Sequence, residues 1–127
     1  MSERAKVLVK EKIADSGVDQ LKENFDVELG IDMDDAELAE RIGEFDAILI
    51  RSATKLTPEL IEKADNMKVI GRAGTGVDNV DIPAATKRGI IVANAPESNS
   101  VAAAEHTMAL ALSLFRNVPQ AHSALVN

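Results

Sequence analysis

Five short apolar runs recur about 20 residues apart: "KVLVK" (6–10), "FDVEL" (25–29), "DAILI" (46–50), "KVIG" (68–71) and "IIVAN" (90–94). Between them lie segments that read as helices. A β-α repeat of this period leaves few choices. It predicts a parallel sheet with crossover helices, because parallel neighbours need a long connection and crossovers are right-handed. The runs are almost continuously apolar, as expected when both sheet faces are covered. The expected architecture is therefore α/β: a flavodoxin-like, five-stranded parallel sheet with helices on both faces.

Start and stop signals bound the helices. Ser16 is expected to cap a helix over 17–24. Asp34, with Glu37 three residues on, opens one over 34–45 as a capping box. Thr57 and Pro58 open a helix over 57–65. Asp81 and Pro83 open one over 81–89, closed by Gly89. "SVAAAEHTMALALSLFRN" (100–117) breaks the repeat and reads as one long helix, about 27 Å at 1.5 Å per residue. It is apolar nearly all round, so it should be buried against another domain or subunit. The expected division is 1–99 for the sheet domain and 100–127 for this helix.

In open parallel sheets ligands bind beyond the carboxyl ends of the strands. Three loops leave those ends: "RSATKL", "RAGTGVDNVD" and "APESNS". Arg51 and Ser52 put a cation and a hydroxyl after the third run, which suits a carboxylate or phosphate. The bland alternative is that Arg51 pairs with a nearby aspartate and Ser52 caps a turn. Gly74 and Gly76 are expected to use φ > 0 and offer bare backbone N–H groups, with Thr75 and Arg72 adding polar contacts. The bland alternative for this loop is a tight β-to-α turn, with Asp78 and Asn79 making side-chain turns. Asn94, at the end of the fifth run, is the member of its loop most free to face a ligand. The glycines read G-x-x-G-x-G, not the G-x-G-x-x-G of a dinucleotide loop.

Several functions are excluded by composition. There is no cysteine, so no thiolate nucleophile or Cys-ligated metal. Net charge is −7, which argues against nucleic acid. The charge is uneven: residues 1–50 carry six basic and fourteen acidic side chains, residues 51–127 eight and seven. The second part is the better home for a small anion. No run is long and apolar enough for a membrane span, and the N-terminus has no apolar signal core. A cytoplasmic setting is expected. Asp32, Asp34 and Asp35 read as a capped, solvated turn, not a metal site. His106, alone in an apolar helix, reads as a packing residue. A receiver or flavin module is disfavoured: Lys10 ends the first run, Arg51 follows the third, and the aromatics are three Phe with no Trp or Tyr.

"RSAT", "GRAGTGVDNVD" and "NAPESNSVAAAEH" together resemble the NAD-dependent D-isomer-specific 2-hydroxyacid dehydrogenases. Within them the nearest likeness is to the phosphoglycerate dehydrogenase branch, with hydroxypyruvate, glyoxylate and lactate relatives as alternatives. The resemblance implies that Arg51 and Ser52 contact the substrate. It implies that Gly76 and Val77 offer N–H groups to the substrate carboxylate, and that Arg72 adds charge for a phosphate. Thr75 would lie near NAD. The substrate would be a phosphorylated 2-hydroxy acid, and the 100–117 helix would take part in a homo-oligomer. The family's dinucleotide fingerprint and its catalytic Arg, Glu and His are not among these residues. The expectation is a substrate-binding portion with no catalytic residue, inactive alone, its NAD held mainly by an absent domain. A non-catalytic interaction module of the same superfamily is the remaining alternative.

Overall fold

The computed structural model describes residues 4–126. They fall into two compact units, one ending at Pro96 and one beginning at Glu97.

The first unit is a β-α alternation. The strands are β1 (Lys6–Val9), β2 (Asp26–Leu29), β3 (Ala47–Ile50), β4 (Val69–Arg72) and β5 (Ile91–Asn94). Between them run α1 (Asp15–Asn24), α2 (Asp35–Arg41), α3 (Pro58–Glu62) and α4 (Ile82–Lys87). All pairings are parallel, and the spatial order is β2-β1-β3-β4-β5. That is the doubly wound order of flavodoxin-type sheets. Each strand lies within one residue of its expected run, because alternating β-branched and aliphatic residues between polar turns leave little freedom of register.

The two faces differ. Successive side chains alternate across the sheet. Leu8, Ile48, Ile50 and Ile70 point to one side and are 1% exposed or less. There they meet Leu38 of α2, Ile61 of α3 and Ala85 of α4 in one core with Phe45. The β1–β2 connection runs the opposite way along the sheet from the other three, so a right-handed crossover puts α1 on the opposite face. Leu21 of α1 borders an open groove of about 360 Å³ there, floored by Ala47, Leu49, Val69 and Gly71. Val69 is 36% exposed and Ile91 64%. Helices do lie on both faces, but the expected full cover of both is not found within this unit.

The helix ends follow side-chain chemistry. Asp34 accepts from the Glu37 N–H (2.8 Å), Thr57 from Leu60 (3.4 Å) and Asp81 from Ala84 (2.8 Å). Gly89, at φ +71°, ends α4 as expected. Ser16 does not cap α1, whose N-cap is Ala14 with no side-chain bond. The 34–45 segment splits into α2 and a 3-10 turn over Ile42–Glu44.

The second unit holds α5 (Ser100–Phe115) and α6 (Val118–Val126). The expected single helix over 100–117 stops at Phe115, and Asn117 takes φ +51°. A separate second helix was not expected in the 100–127 segment. Pro119 stands in the first turn of α6, where its missing N–H costs nothing. Among the described residues no helix is long and apolar enough to cross a membrane.

Candidate anion-binding site at the strand ends

The three loops meet through hydrogen bonds from side chains to backbone. Asn79 reaches out of the glycine loop, and its Nδ2 donates to the carbonyls of both Arg51 and Thr54, each at 2.7 Å. The loops also run alongside each other: the Leu56 N–H donates to Asn79 O (2.9 Å) and the Asp81 N–H to Leu56 O (3.0 Å). On the other side Asn94 Nδ2 donates to Thr75 O at 2.6 Å, and the Ala95 N–H to Gly74 O at 3.0 Å. Asn79 thus spans two loops instead of making a local turn. Asn94 is exposed but its amide is engaged by the glycine loop, so it is not the free group expected.

The 51–54 backbone is held from a fourth place. Glu11 follows β1, next to β3 in the sheet. Its Oε1 accepts from the N–H groups of Arg51 and Thr54 (2.9 Å each), and its Oε2 from Ala53 (3.2 Å). Burial pushes the Glu11 carboxyl up, but the three backbone donors outweigh it and hold the group below the usual carboxylate range. Glu11 was missed by sequence reasoning, which stopped at Lys10. It lies two residues past β1 on the ligand-binding edge, and its position there is the one local cue, since the bond itself spans 40 residues.

Arg51 does not pair with an aspartate. Its Nη1 donates to the carbonyl of Lys12 at 3.3 Å. Among the described residues the ion pairs are made by Arg41, Lys68 and Arg88, not by Arg51 or Arg72. Arg51 and Ser52 are exposed at the carboxyl edge. Arg72 ends β4 in register between Ile50 and Asn94. Its Nε is buried and without a partner, an orphaned donor.

The glycines work by size, not by conformation. Among the described residues Gly89 is the glycine with positive φ, so the expected φ > 0 at Gly74 and Gly76 is not used. A Cβ on Gly74 would run into the Arg72 guanidinium, and one on Gly76 would lie 2.9 Å from Asp78 Oδ1. At both positions the space a Cβ would take is held by the end of a neighbouring side chain. Gly76 and Val77 lie in the same loop, where Val77 O accepts the Val80 N–H (3.0 Å).

This loop does not fit a dinucleotide. Its glycine spacing is wrong, and α4 begins only at Ile82, is six residues long and has Pro83 in its first turn. No cluster of His, Cys, Asp or Glu among the described residues could hold a metal ion. The edge offers cations, a hydroxyl and backbone N–H groups, which suits a small anion.

The family described as "D-isomer specific 2-hydroxyacid dehydrogenase, catalytic domain" matches residues 7–125. The chain belongs to this family. D-3-phosphoglycerate dehydrogenase of Synechocystis sp. is 46% identical over 121 residues, which is 95% of this chain and 22% of that protein. The solved PH0520 protein of Pyrococcus horikoshii OT3 is 38% identical with a TM-score of 0.82, covering 96% of this chain and 37% of that one. The NAD+-bound 3-phosphoglycerate dehydrogenase of Entamoeba histolytica gives a TM-score of 0.71 at 28% identity, covering 89% and 40%. The chain therefore spans about a fifth of the curated relative and about two fifths of these solved structures.

Proposed function

We propose that residues 1–99 form the substrate-binding domain of an NAD-dependent D-3-phosphoglycerate dehydrogenase. In the whole enzyme the 2-hydroxyl of 3-phospho-D-glycerate is oxidised to the ketone of 3-phosphohydroxypyruvate, a step toward serine, with hydride passing to NAD. The observation that supports this reading is a strand-end edge carrying Arg51 and Arg72 without carboxylate partners. Two uncompensated guanidiniums beside backbone N–H groups recognise a molecule with a carboxylate and a phosphate.

The roles are those the family resemblance implies. Gly76 and Val77 N–H groups take the carboxylate, Arg51 and Ser52 orient the acid, and Arg72 faces the phosphate. Asn94 and Thr75 hold the wall of the cleft, Thr75 toward the nicotinamide. NAD itself is held mainly by sequence outside these 127 residues, and so are the groups that move the proton. The chain alone binds and does not turn over. Residues 100–127 lead toward the cofactor domain, and the apolar α5 serves assembly of a homo-oligomer in the cytoplasm.

A titration of the 15N-labelled 127-residue chain with 3-phospho-D-glycerate tests the reading. Amide shifts confined to 51–52 and 72–77, reduced at least tenfold in affinity by Arg51→Ala, are expected. Shifts elsewhere, or binding indifferent to Arg51→Ala, point to an interaction module and refute the assignment. Tighter binding of glyoxylate than of 3-phospho-D-glycerate would move the substrate to the reductase relatives. NADH formation by the isolated chain would refute its inactivity.

A further inference from the structure

The 51–54 backbone is an anion nest already filled. Three N–H groups within four residues converge on one carboxylate, the geometry by which loops bind phosphates and other anions. Here the anion is the protein's own Glu11, delivered from the end of the neighbouring strand. Forty residues of sequence separate Glu11 from Arg51, so the bond is tertiary. It is set by the β1–β3 register, Val9 lying opposite Leu49.

We propose that Glu11 is a positioning residue for the substrate-contacting side chains of Arg51 and Ser52. The inference rests on the reading of this edge as the acid-binding site. With their N–H groups turned inward onto Glu11, Arg51, Ala53 and Thr54 offer no backbone donor to a ligand. What the segment presents is the Ser52 N–H and the side chains of Arg51 and Ser52, and the clamp fixes where they start. Asn79 completes the hold by taking the carbonyls of Arg51 and Thr54. Donors are held by Glu11 and acceptors by Asn79, so the peptide planes of the loop cannot rotate without breaking a hydrogen bond, charge-assisted where Glu11 is the acceptor. Arg51 adds a third tie through the Lys12 carbonyl (3.3 Å), on the same short segment as Glu11. A loop pinned this way meets the ligand preorganised and loses little freedom on binding.

The clamp needs both reach and two oxygens. A glutamine keeps one acceptor but turns an NH2 toward an N–H donor. An aspartate keeps the charge but is one methylene short of the three donors. Charge alone would let aspartate substitute; geometry would not.

The test uses Glu11→Gln and Glu11→Asp in the full 127-residue chain, with amide 1H–15N spectra and 3-phospho-D-glycerate as the probe. Hydrogen bonds to a carboxylate pull amide protons downfield, so both variants should move Arg51, Ala53 and Thr54 upfield. Affinity should fall about tenfold or more, given that misplacements of about 1 Å can cost up to a hundredfold. Ile70→Val, a core change that touches none of the ties on 51–54, is the control: it should lower stability and leave affinity unchanged. The proposal is overturned if the three amides stay put, if Glu11→Asp binds like the parent, or if Ile70→Val weakens binding as much as Glu11→Gln. If the parent chain fails to bind 3-phospho-D-glycerate, the functional reading fails instead. The three amide shifts still decide whether Glu11 holds the loop.

Discussion

Asn79→Asp is the sharpest test of how the strand-end loops are held. Asn79 is half-buried, and its Nδ2 makes two 2.7 Å bonds to the carbonyls of Arg51 and Thr54. Its Oδ1 is buried without a partner. The amide cannot be flipped to relieve this, because Oδ1 would then face two carbonyl oxygens. Removing the side chain in Asn79→Ala loses two neutral hydrogen bonds, about 1 kcal/mol each. It also leaves the carbonyl of buried Thr54 unpaired, about 1 kcal/mol more, and relieves the orphaned Oδ1, about 1 kcal/mol in the other direction. The net cost is about 2 kcal/mol, or about 10 °C in Tm for a domain of this size. Asn79→Asp keeps the shape, loses both donors and sets a carboxylate against two carbonyls, so it should cost about 3 kcal/mol or more. The chain has no Trp or Tyr, so urea unfolding is followed by far-UV circular dichroism. An Asn79→Asp chain within about 0.5 kcal/mol of the parent at pH 7 would refute the whole account of the loop tie.

Other outcomes follow from the same structure. Ile70→Ala, on the covered face and 1% exposed, should cost about 3 kcal/mol in urea unfolding, while Val69→Thr on the open face should stay within about 0.5 kcal/mol. Gly43→Ala would set a Cβ 2.8 Å from the Lys63 carbonyl, a backbone atom that cannot yield, and should cost about 1–3 kcal/mol. Gly74→Ala instead displaces the flexible Arg72 guanidinium, so its melting point should barely move while anion affinity falls. Glu11 is held below its ordinary value by its backbone donors in spite of burial, and Asp46 chiefly by its bond to Lys68 and then to the Lys6 N–H. Depressed carboxylates contribute stability above their unfolded-state pKa and lose it as pH falls through the folded-state value. The unfolding midpoint should therefore drop below about pH 4.5, and Glu11→Gln with Asp46→Asn should flatten that slope.

The sheet was legible because its signal is local and repeated. Each run of Val, Ile and Leu between polar turns sets a strand by itself, and the caps at Asp34, Thr57 and Asp81 are read within four residues. Arg51, Ser52 and the glycine loop were legible for the same reason, as was their place at the carboxyl edge. The ties were not. Glu11 and Asn79 act across 40 and 28 residues, and nothing in "VKEK" or "GVDNV" announces a distant partner. Gly74 and Gly76 were given the wrong reason: the sequence shows that a side chain is missing, but not whether φ or a neighbouring guanidinium excludes it. The C-terminal segment reads as one helix because its apolar pattern does not show the break, which the positive φ of Asn117 makes between α5 and α6.

The same bonding pattern explains how an acidic chain keeps an anion-attracting edge. The first fifty residues carry fourteen carboxylates, and one of them, Glu11, stands beside Arg51. Were it to pair with the guanidinium, the edge would lose one of its two cations without a carboxylate partner. It is occupied instead by three N–H groups, and the Arg51 guanidinium bonds to a neutral carbonyl. The negative charge is neutralised by backbone dipoles, which cannot be recruited by a ligand. The positive charge stays on a side chain, which can. Replacing Glu11 with alanine would thus remove a repulsive charge from the edge and still weaken anion binding. Simple electrostatics predicts the opposite sign, so the direction of the Glu11→Ala affinity change separates preorganisation from charge.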